Sequence, residues 1–387
     1  MRRLLLGIYG FSFFNKFLLL TPVYVIFMQQ NGLSDIQLST MFIISTLGTL
    51  GAQIPIAWII RRLGQRWTMM LGQCLKIIAI LLWLVLPNYL GFAIGMILWG
   101  VQAGFRSVAF EGLIYDQLRA RGAKRDYSKI LGRKYTYESI GVVLSAFGSL
   151  LMFMGYAWVT WASVLAVLMS MVYLMVIPFV SGTEHTETKT AGSMRIIRTG
   201  IRAVLRTPCV LSIMLLALLI GNVPYLDDFL SPIGLQLGIS TEYVGVVSFF
   251  LLGCATLGQR FAYKLNNLSD KILYLLIGLV GVGYIVFGCL YTVYVLWMLG
   301  LAYMLFYGIN VLLYSRFQHM ISSRHRSVIL SLYTTLAYLT YMLVCGIIGL
   351  GGMLGSWRFS IVMLGFLMLL ICLWAFLRVR RKCPLNN

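Results

Sequence analysis

Ionisable side chains are scarce in this sequence, and several interrupt long apolar runs. Lys16 follows Asn15 inside the run 4–28, with Thr21 and Pro22 further along; Lys76 lies in the run 67–86 and Arg106 in 89–112. A charge within a bilayer costs at least about 2.5–3.5 kcal/mol on insertion scales, so it faces a cavity or a partner. Lys16 comes roughly 18 Å along a helix from Leu4 at 1.5 Å per residue, near the midplane of an apolar layer about 30 Å thick. A lysine there offers a cationic site for an anionic group, or a charge that answers protonation of an acid. A snorkelling lysine is the alternative, and it is a poor one at that depth. Arg106 offers a planar fork for a carboxylate or phosphate, or an ion pair with Glu138. Lys76 reads as structural.

The acids divide into two groups. Glu111, Asp116 and Glu138 fall toward one end of their runs, beside Arg61, Arg62, Arg133 and Lys134. They form either a charge network that holds that side shut or, at Glu138 above all, a proton carrier. Asp227 and Asp228 come late in the run 207–230, after Asn222 and Pro224; proline frees a backbone carbonyl and bends a helix. This pair is either a protonatable or cation-binding site, or a hydrated pair at the membrane surface. Tyr303, Tyr307, Asn310 and Tyr314 recur at helical spacing and share one face; Tyr333, Tyr338 and Tyr341 follow in the next run. Tyr307, Asn310 and Tyr338 are expected to line a cavity that suits an organic molecule, with Tyr303 and Tyr314 open to an interfacial reading.

The elements that must position these residues follow from composition. The chain has 387 residues, 60% hydrophobic and only 11% charged, with a mean hydropathy of +0.88. A soluble core cannot absorb that much apolar surface. Runs of spanning length occur at 4–28, 36–60, 67–86, 89–112, 134–155, 157–180, 207–230, 243–264, 271–290, 293–315, 328–351 and 357–377. All must be helices, because open sheet edges cannot face lipid. The split within 134–180 hinges on Gly155-Tyr156. Numbering the loops alternately places 27 of the 31 basic residues on one side and leaves only Arg358 opposite. The positive-inside rule then puts both termini in the cytoplasm. The net charge of +20 thus reflects topology and anionic lipid rather than nucleic acid. Seven scattered cysteines and three isolated histidines argue against disulfides and metal sites, and no phosphate-binding Walker loop is present.

A polar stretch at 181–206 halves the chain into 1–180 and 207–387, six spans each. The halves echo each other at an offset of 206: Gly32-Leu33-Ser34 matches Gly238-Ile239-Ser240, and Gly72 matches Gly278. Two parallel six-span repeats are a known transporter architecture.

At this point the sequence resembles the major facilitator superfamily over its full length. The superfamily's signature loop between spans two and three reads Gly-x-x-x-Asp-Arg-x-Gly-Arg-Arg/Lys. This chain has Ala57, then Arg61, Arg62, Leu63, Gly64, Gln65, Arg66, matching at Arg62, Gly64 and Arg66. The leading Gly is replaced, and Arg61 stands for the Asp that helps lock the loop to neighbouring helices. Glu111-Gly-Leu-Ile-Tyr-Asp-Gln-Leu118 and Arg326-Ser-Val-Ile-Leu-Ser331 are similar to segments of a largely uncharacterised bacterial subgroup, often labelled drug or metabolite exporters. Two antiporter hallmarks are missing. Trp99 lies near where an Arg is usual in span four, and span five keeps only Gly141, Ser145 and Gly148 of its Gly-Pro signature.

The resemblance implies an all-α integral membrane fold of twelve helices in two six-helix repeats. It implies a multi-pass protein of a bacterial inner membrane that works by alternating access, with no enzymatic activity and no cofactor. The buried cations tilt the expected cargo toward a small anionic or amphiphilic organic molecule, such as a siderophore, a peptide-like or a drug-like compound. Its expected movement is export coupled to protons or another cation, by a monomer. Import of a sugar, peptide or siderophore-type solute on the same fold is the alternative. A non-transporting receptor or enzyme is more remote, since neither a catalytic cluster nor a soluble domain is evident.

Overall fold

The computed structural model describes residues 1–123, 126–178, 202, 204, 207–262, 269–321 and 326–379. The stretch 181–206 therefore lies almost wholly outside the described residues. Among the described residues all regular structure is helical, and no strand occurs. In order they form α1 (Arg2–Lys16), α2 (Tyr24–Gln30), α3 (Asp35–Gln53), α4 (Ile56–Val85), α5 (Tyr89–Ala120), α6 (Tyr127–Ser145) and α7 (Tyr156–Val176). Then follow α8 (Pro208–Asn222), α9 (Leu230–Gln236), α10 (Val244–Phe261), α11 (Asp270–Leu290), α12 (Leu296–Met320), α13 (Arg326–Met353) and α14 (Trp357–Trp374).

Ten helices among the described residues are long and apolar enough to cross a membrane. The first two expected spans are not among them. The run 4–28 is divided into α1 and α2, each too short by itself, whereas α8 and α9, joined by a 3-10 turn, count together as one span over Pro208–Gln236. In α3, Ser39, Thr40, Ser45, Thr46 and Thr49 dilute the apolar content.

Local chemistry sets the ends. Ser34 and Gln37 form a capping box at the start of α3, with Ser34 N–H donating to Gln37 Oε1 at 2.9 Å. Asn88 Oδ1 accepts from Gly91 N–H at 3.0 Å to start α5. Gly155, at φ +95°, makes the turn that separates α6 with its 3-10 continuation from α7. A side chain there would be strained.

The chain packs as two compact units. One contains α1 to α7 and the segment 228–249; the other contains α8, the residues from it to Asp227, and the described residues from Phe250 onward. Within the first, α4 and α3 both lie along α5, and α1 lies against α6 and α7. Leu4, Ile8 and Phe11 of α1 meet Phe110, Leu113 and Ile114 of α5 in one buried cluster. Within the second, α11 packs on α14 and α12, and α8 on α12 and α13.

The expected runs 4–28 and 207–230 are both interrupted, at the same register. Lys16 and Asn222 end the first helical pieces; Tyr24 and Leu230 begin the next; Gln30 and Gln236 end them. Each pair lies 206 residues apart, as do Gly32 (φ +89°) and Gly238 (φ +84°) beyond them. Span five accommodates the first break through its small residues. A Cβ on Gly141 would lie 2.6 Å from Phe13 O, and one on Gly148 would lie 1.8 Å from Leu19 O. The unwound backbone of span one thus rests directly on the α6 backbone and its continuation. One expectation is corrected: Cys209, at the start of α8, is disulfide-bonded. Scatter along the sequence does not measure distance in the fold.

Candidate functional site

The two breaks position the two groups of ionisable residues. In the first unit, Lys16 is the last residue of α1. Among the described residues its ammonium makes no hydrogen bond and no ion pair, although Glu138 and Asp228 attract it and Arg106 and Lys134 repel it. The neighbouring charges are bonded to one another. Arg106 Nη1 is 3.2 Å from Glu138 Oε1, and Lys134 Nζ is 3.4 Å from the same oxygen. Lys134 also lies 3.8 Å from Glu111 Oε1, to which Tyr135 donates its hydroxyl at 3.0 Å. Burial decreases outward: the side-chain exposure is 4% for Lys134, 11% for Glu138, 20% for Arg106 and 42% for Glu111. Glu138 is thus a carboxylate gripped by two cations, and Lys16 is the cation beside it that has no bonded counter-ion.

Asp116 belongs to a different contact. Its Oδ2 accepts from Gln65 Nε2 at 2.9 Å. Gln65 sits in the turn made by Gly64 (φ +78°) inside α4. Arg66 donates to Met175 O at 2.6 Å and to Ile177 O at 3.3 Å, at the end of α7. The Arg62 guanidinium lies 4.7 Å from the centre of the Trp58 ring. The loop is therefore tied to its neighbours by Gln65 and Arg66, although Arg61 replaces the expected Asp.

In the second unit, the break in span seven carries Asp227. Tyr307 of α12 donates its hydroxyl to Asp227 Oδ2 at 2.5 Å. A wall of rings surrounds this contact: Tyr303 stacks parallel to Tyr284 at 6.4 Å, and Tyr307 meets Phe306 at 4.5 Å. Tyr284 donates to the carbonyl of Pro224 within the break. Tyr225 meets Tyr341 edge to face at 5.6 Å. Asn310 lies against α8, where a Cβ on Gly221 would be 3.0 Å from its Oδ1. The Asn222 amide is turned back onto its own helix, donating to Leu218 O at 2.8 Å. Tyr303 is fully buried, and Tyr338 is half-buried on α13. Asp227 and Asp228, adjacent in sequence, pack with different units.

The chemistry available is ion binding and proton exchange. A carboxylate held by a phenol among aromatic rings can load and release a proton. A lysine with no bonded counter-ion can receive an anionic group. Among the described residues no cluster of metal-ligating side chains occurs. The sequence placed Lys134 in the charge network without naming its partner, although its four-residue spacing to Glu138 was a usable signal. Sequence reasoning passed over Tyr225 and Tyr284, which carry no signal of their own.

The model of the Major Facilitator Superfamily matches residues 5–345. No curated protein matches the chain. Among solved structures, the nucleoside transporter NupG superposes with a TM-score of 0.71 at 12% identity, over 97% of this chain and 98% of that one. A bacterial homologue of the human lysosomal transporter Spinster, inward-facing and occupied, gives 0.72 at 14%, over 98% and 96%. A D-xylose-proton symporter gives 0.71 at 13%, over 99% and 98%. At these identities the likeness establishes the fold.

Proposed function

Because the chain belongs to the major facilitator superfamily, and is a multi-pass membrane transporter rather than an enzyme, we propose that it is a secondary active transporter that exports a small organic anion, driven by the proton gradient. It works by alternating access of two six-span halves, 1–180 and 207–387, with 181–206 between them. It has twelve spans and both termini in the cytoplasm of a bacterial inner membrane. The count of twelve is supported by adding the broken run 4–28 and the hydroxyl-rich α3 to the ten long apolar helices, and the orientation by the lopsided basic residues.

The observation that carries the substrate reading is Lys16. It sits at the end of a broken helix with no bonded counter-ion among the described residues, while Arg106 and Lys134 share Glu138. An anionic group entering there gains a charge-assisted contact and relieves the repulsion of Lys16 by its two neighbouring cations. The proton reading rests on Asp227, half-buried and held by Tyr307. The likeness to a D-xylose-proton symporter favours a second reading, proton-driven import of a sugar-like solute on the same fold.

The test is transport by the purified protein in liposomes under an imposed pH gradient, with anionic, neutral and cationic organic compounds compared. The expected result is gradient-dependent movement of an anion, lost in Lys16→Ala. Movement of a neutral sugar that is indifferent to Lys16→Ala would favour the second reading. Movement of cations would overturn the substrate class.

A further inference from the structure

Lys76, on α4, is a buried cation with no part in that reading. It is 3% exposed. Its Nζ donates to Asn15 O at 2.7 Å and to Asn15 Oδ1 at 3.2 Å, and lies 5.1 Å from the centre of the Trp99 ring. Among the described residues no carboxylate pairs with it. Asn15, itself 2% exposed, is the penultimate residue of α1. In an unbroken helix its carbonyl would accept from the N–H of Leu19; the break removes that donor, and the Lys76 ammonium stands in its place. Gln73, one turn earlier on α4, donates to Asn15 Oδ1 at 3.2 Å, and its own Oε1 accepts from Ser170 Oγ at 3.3 Å. The contact also reaches the far side of the break. Trp99 stacks on Trp83 at 5.5 Å, and Trp83 stacks at 5.7 Å on Tyr24, the first residue of α2.

Main-chain and amide oxygens at an unwound membrane helix are the ligands that a small monovalent cation takes in such folds, and an aromatic face accepts a cation as well. A lysine is costly to place in the membrane interior. A hydrogen-bonding residue such as Gln could have capped the carbonyl without that cost, so it is the charge that calls for an explanation. We propose that the Lys76 ammonium is a tethered cation. It fills, as part of the chain, a monovalent-cation position at the break of span one, and it keeps that segment unwound without a bound metal ion. Removing the amino group leaves Asn15 O and Asn15 Oδ1, the two oxygens it now binds, able to take Na+ or Li+ in its place. This inference is independent of the cargo and of the direction of transport, because it concerns the stability of one helix break.

The experiment is thermal unfolding of the purified full chain in NaCl, LiCl and choline chloride at equal ionic strength. The unsubstituted protein is expected to unfold at the same temperature in all three. Lys76→Ala is expected to unfold several degrees lower in choline chloride and to regain part of the loss in NaCl or LiCl, saturating in the millimolar range. Adding Asn15→Ala to it should abolish the regain. Lys76→Met, which keeps the apolar stem and lacks the charge, repeats the comparison with less lost packing. A loss that Na+ and Li+ restore no better than choline overturns the proposal, as does failure of both variants to fold in any of the salts. A Na+-specific rise in the unsubstituted protein that Asn15→Ala removes also overturns it, since the position would then already hold a metal ion.

Discussion

Replacing Glu138 by Gln removes a charge that two cations share while keeping the side chain's shape. Arg106 and Lys134 approach the same carboxylate oxygen at 3.2 and 3.4 Å. Removing one partner of a buried ion pair costs about 3–5 kcal/mol, chiefly because the other charge is left without compensation. Two features place Glu138→Gln at the lower end. Arg106 keeps 20% of its side chain exposed, and Lys134 retains Glu111 at 3.8 Å. A cost of about 3 kcal/mol in a cooperative unit of some 200 residues is a fall in Tm of roughly 6–12 °C. The assay is thermal unfolding of the purified protein followed by tryptophan fluorescence. The informative partner is Lys134→Met, since Lys134 is the more buried cation. If an uncompensated Lys134 causes the loss, the double variant is more stable than the sum of the single changes predicts, by about 1 kcal/mol or more. A Glu138→Gln protein that unfolds with the unsubstituted one, or a strictly additive double variant, would refute the reasoning.

Further outcomes follow from other contacts. Gly148→Ala would put a Cβ 1.8 Å from Leu19 O, so span one or span five must shift; it is expected to destabilise by about 3 kcal/mol or more, against a near-neutral Gly253→Ala, where nothing lies within 4 Å. Tyr307→Phe removes the hydroxyl donor to Asp227 and should lower stability by about 1.5–3 kcal/mol; equal denaturation midpoints would contradict the contact. Arg66→Ala leaves two carbonyls at the end of α7 without their donor and should cost about 1–3 kcal/mol, read in the same way. For topology, with the native cysteines, the exposed Cys74 and Cys289 among them, replaced by Ser, a membrane-impermeant maleimide should label Arg358→Cys in intact cells, and Arg121→Cys only after permeabilisation; the reverse pattern would invert the proposed orientation.

Much of this was legible in the sequence because the bilayer makes few demands and makes them strongly. Apolar length marks the spans, and the lopsided arginines and lysines supply the proposed sidedness. The offset of 206, drawn from a Gly-x-Ser match and one glycine pair, reappears to the residue in the boundaries of the two broken spans. The split at Gly155 was visible because only a glycine readily adopts its positive φ. The breaks themselves were less visible. Pro22 and Pro224 were signals, but an apolar run reads as continuous until its hydrogen bonds are traced. Lys76 and Asn15 are 61 positions apart, and Asp227 and Tyr307 are 80 apart. Such pairings depend on how helices rotate against one another, which a single sequence does not encode in any local pattern. Lys76 read as structural because nothing near it in the sequence named its partner.

The matched breaks also bear on descent. In each half seven residues separate the same two boundaries, the last three of the second set forming a 3-10 turn, yet the residues there have little in common. Lys16 answers to Asn222, Thr21 to Asp227 and Tyr24 to Leu230. Even the prolines disagree: Pro22 answers to Asp228, and Pro224 to Leu18. No single residue can therefore be the inherited cause of the unwinding. What the two copies hold in common is a shape, and each has furnished that shape with its own charge, cationic at Lys16 and acidic at Asp227. A duplicated gene that keeps a backbone while rewriting its side chains can give its two halves different ions to handle without redesigning either.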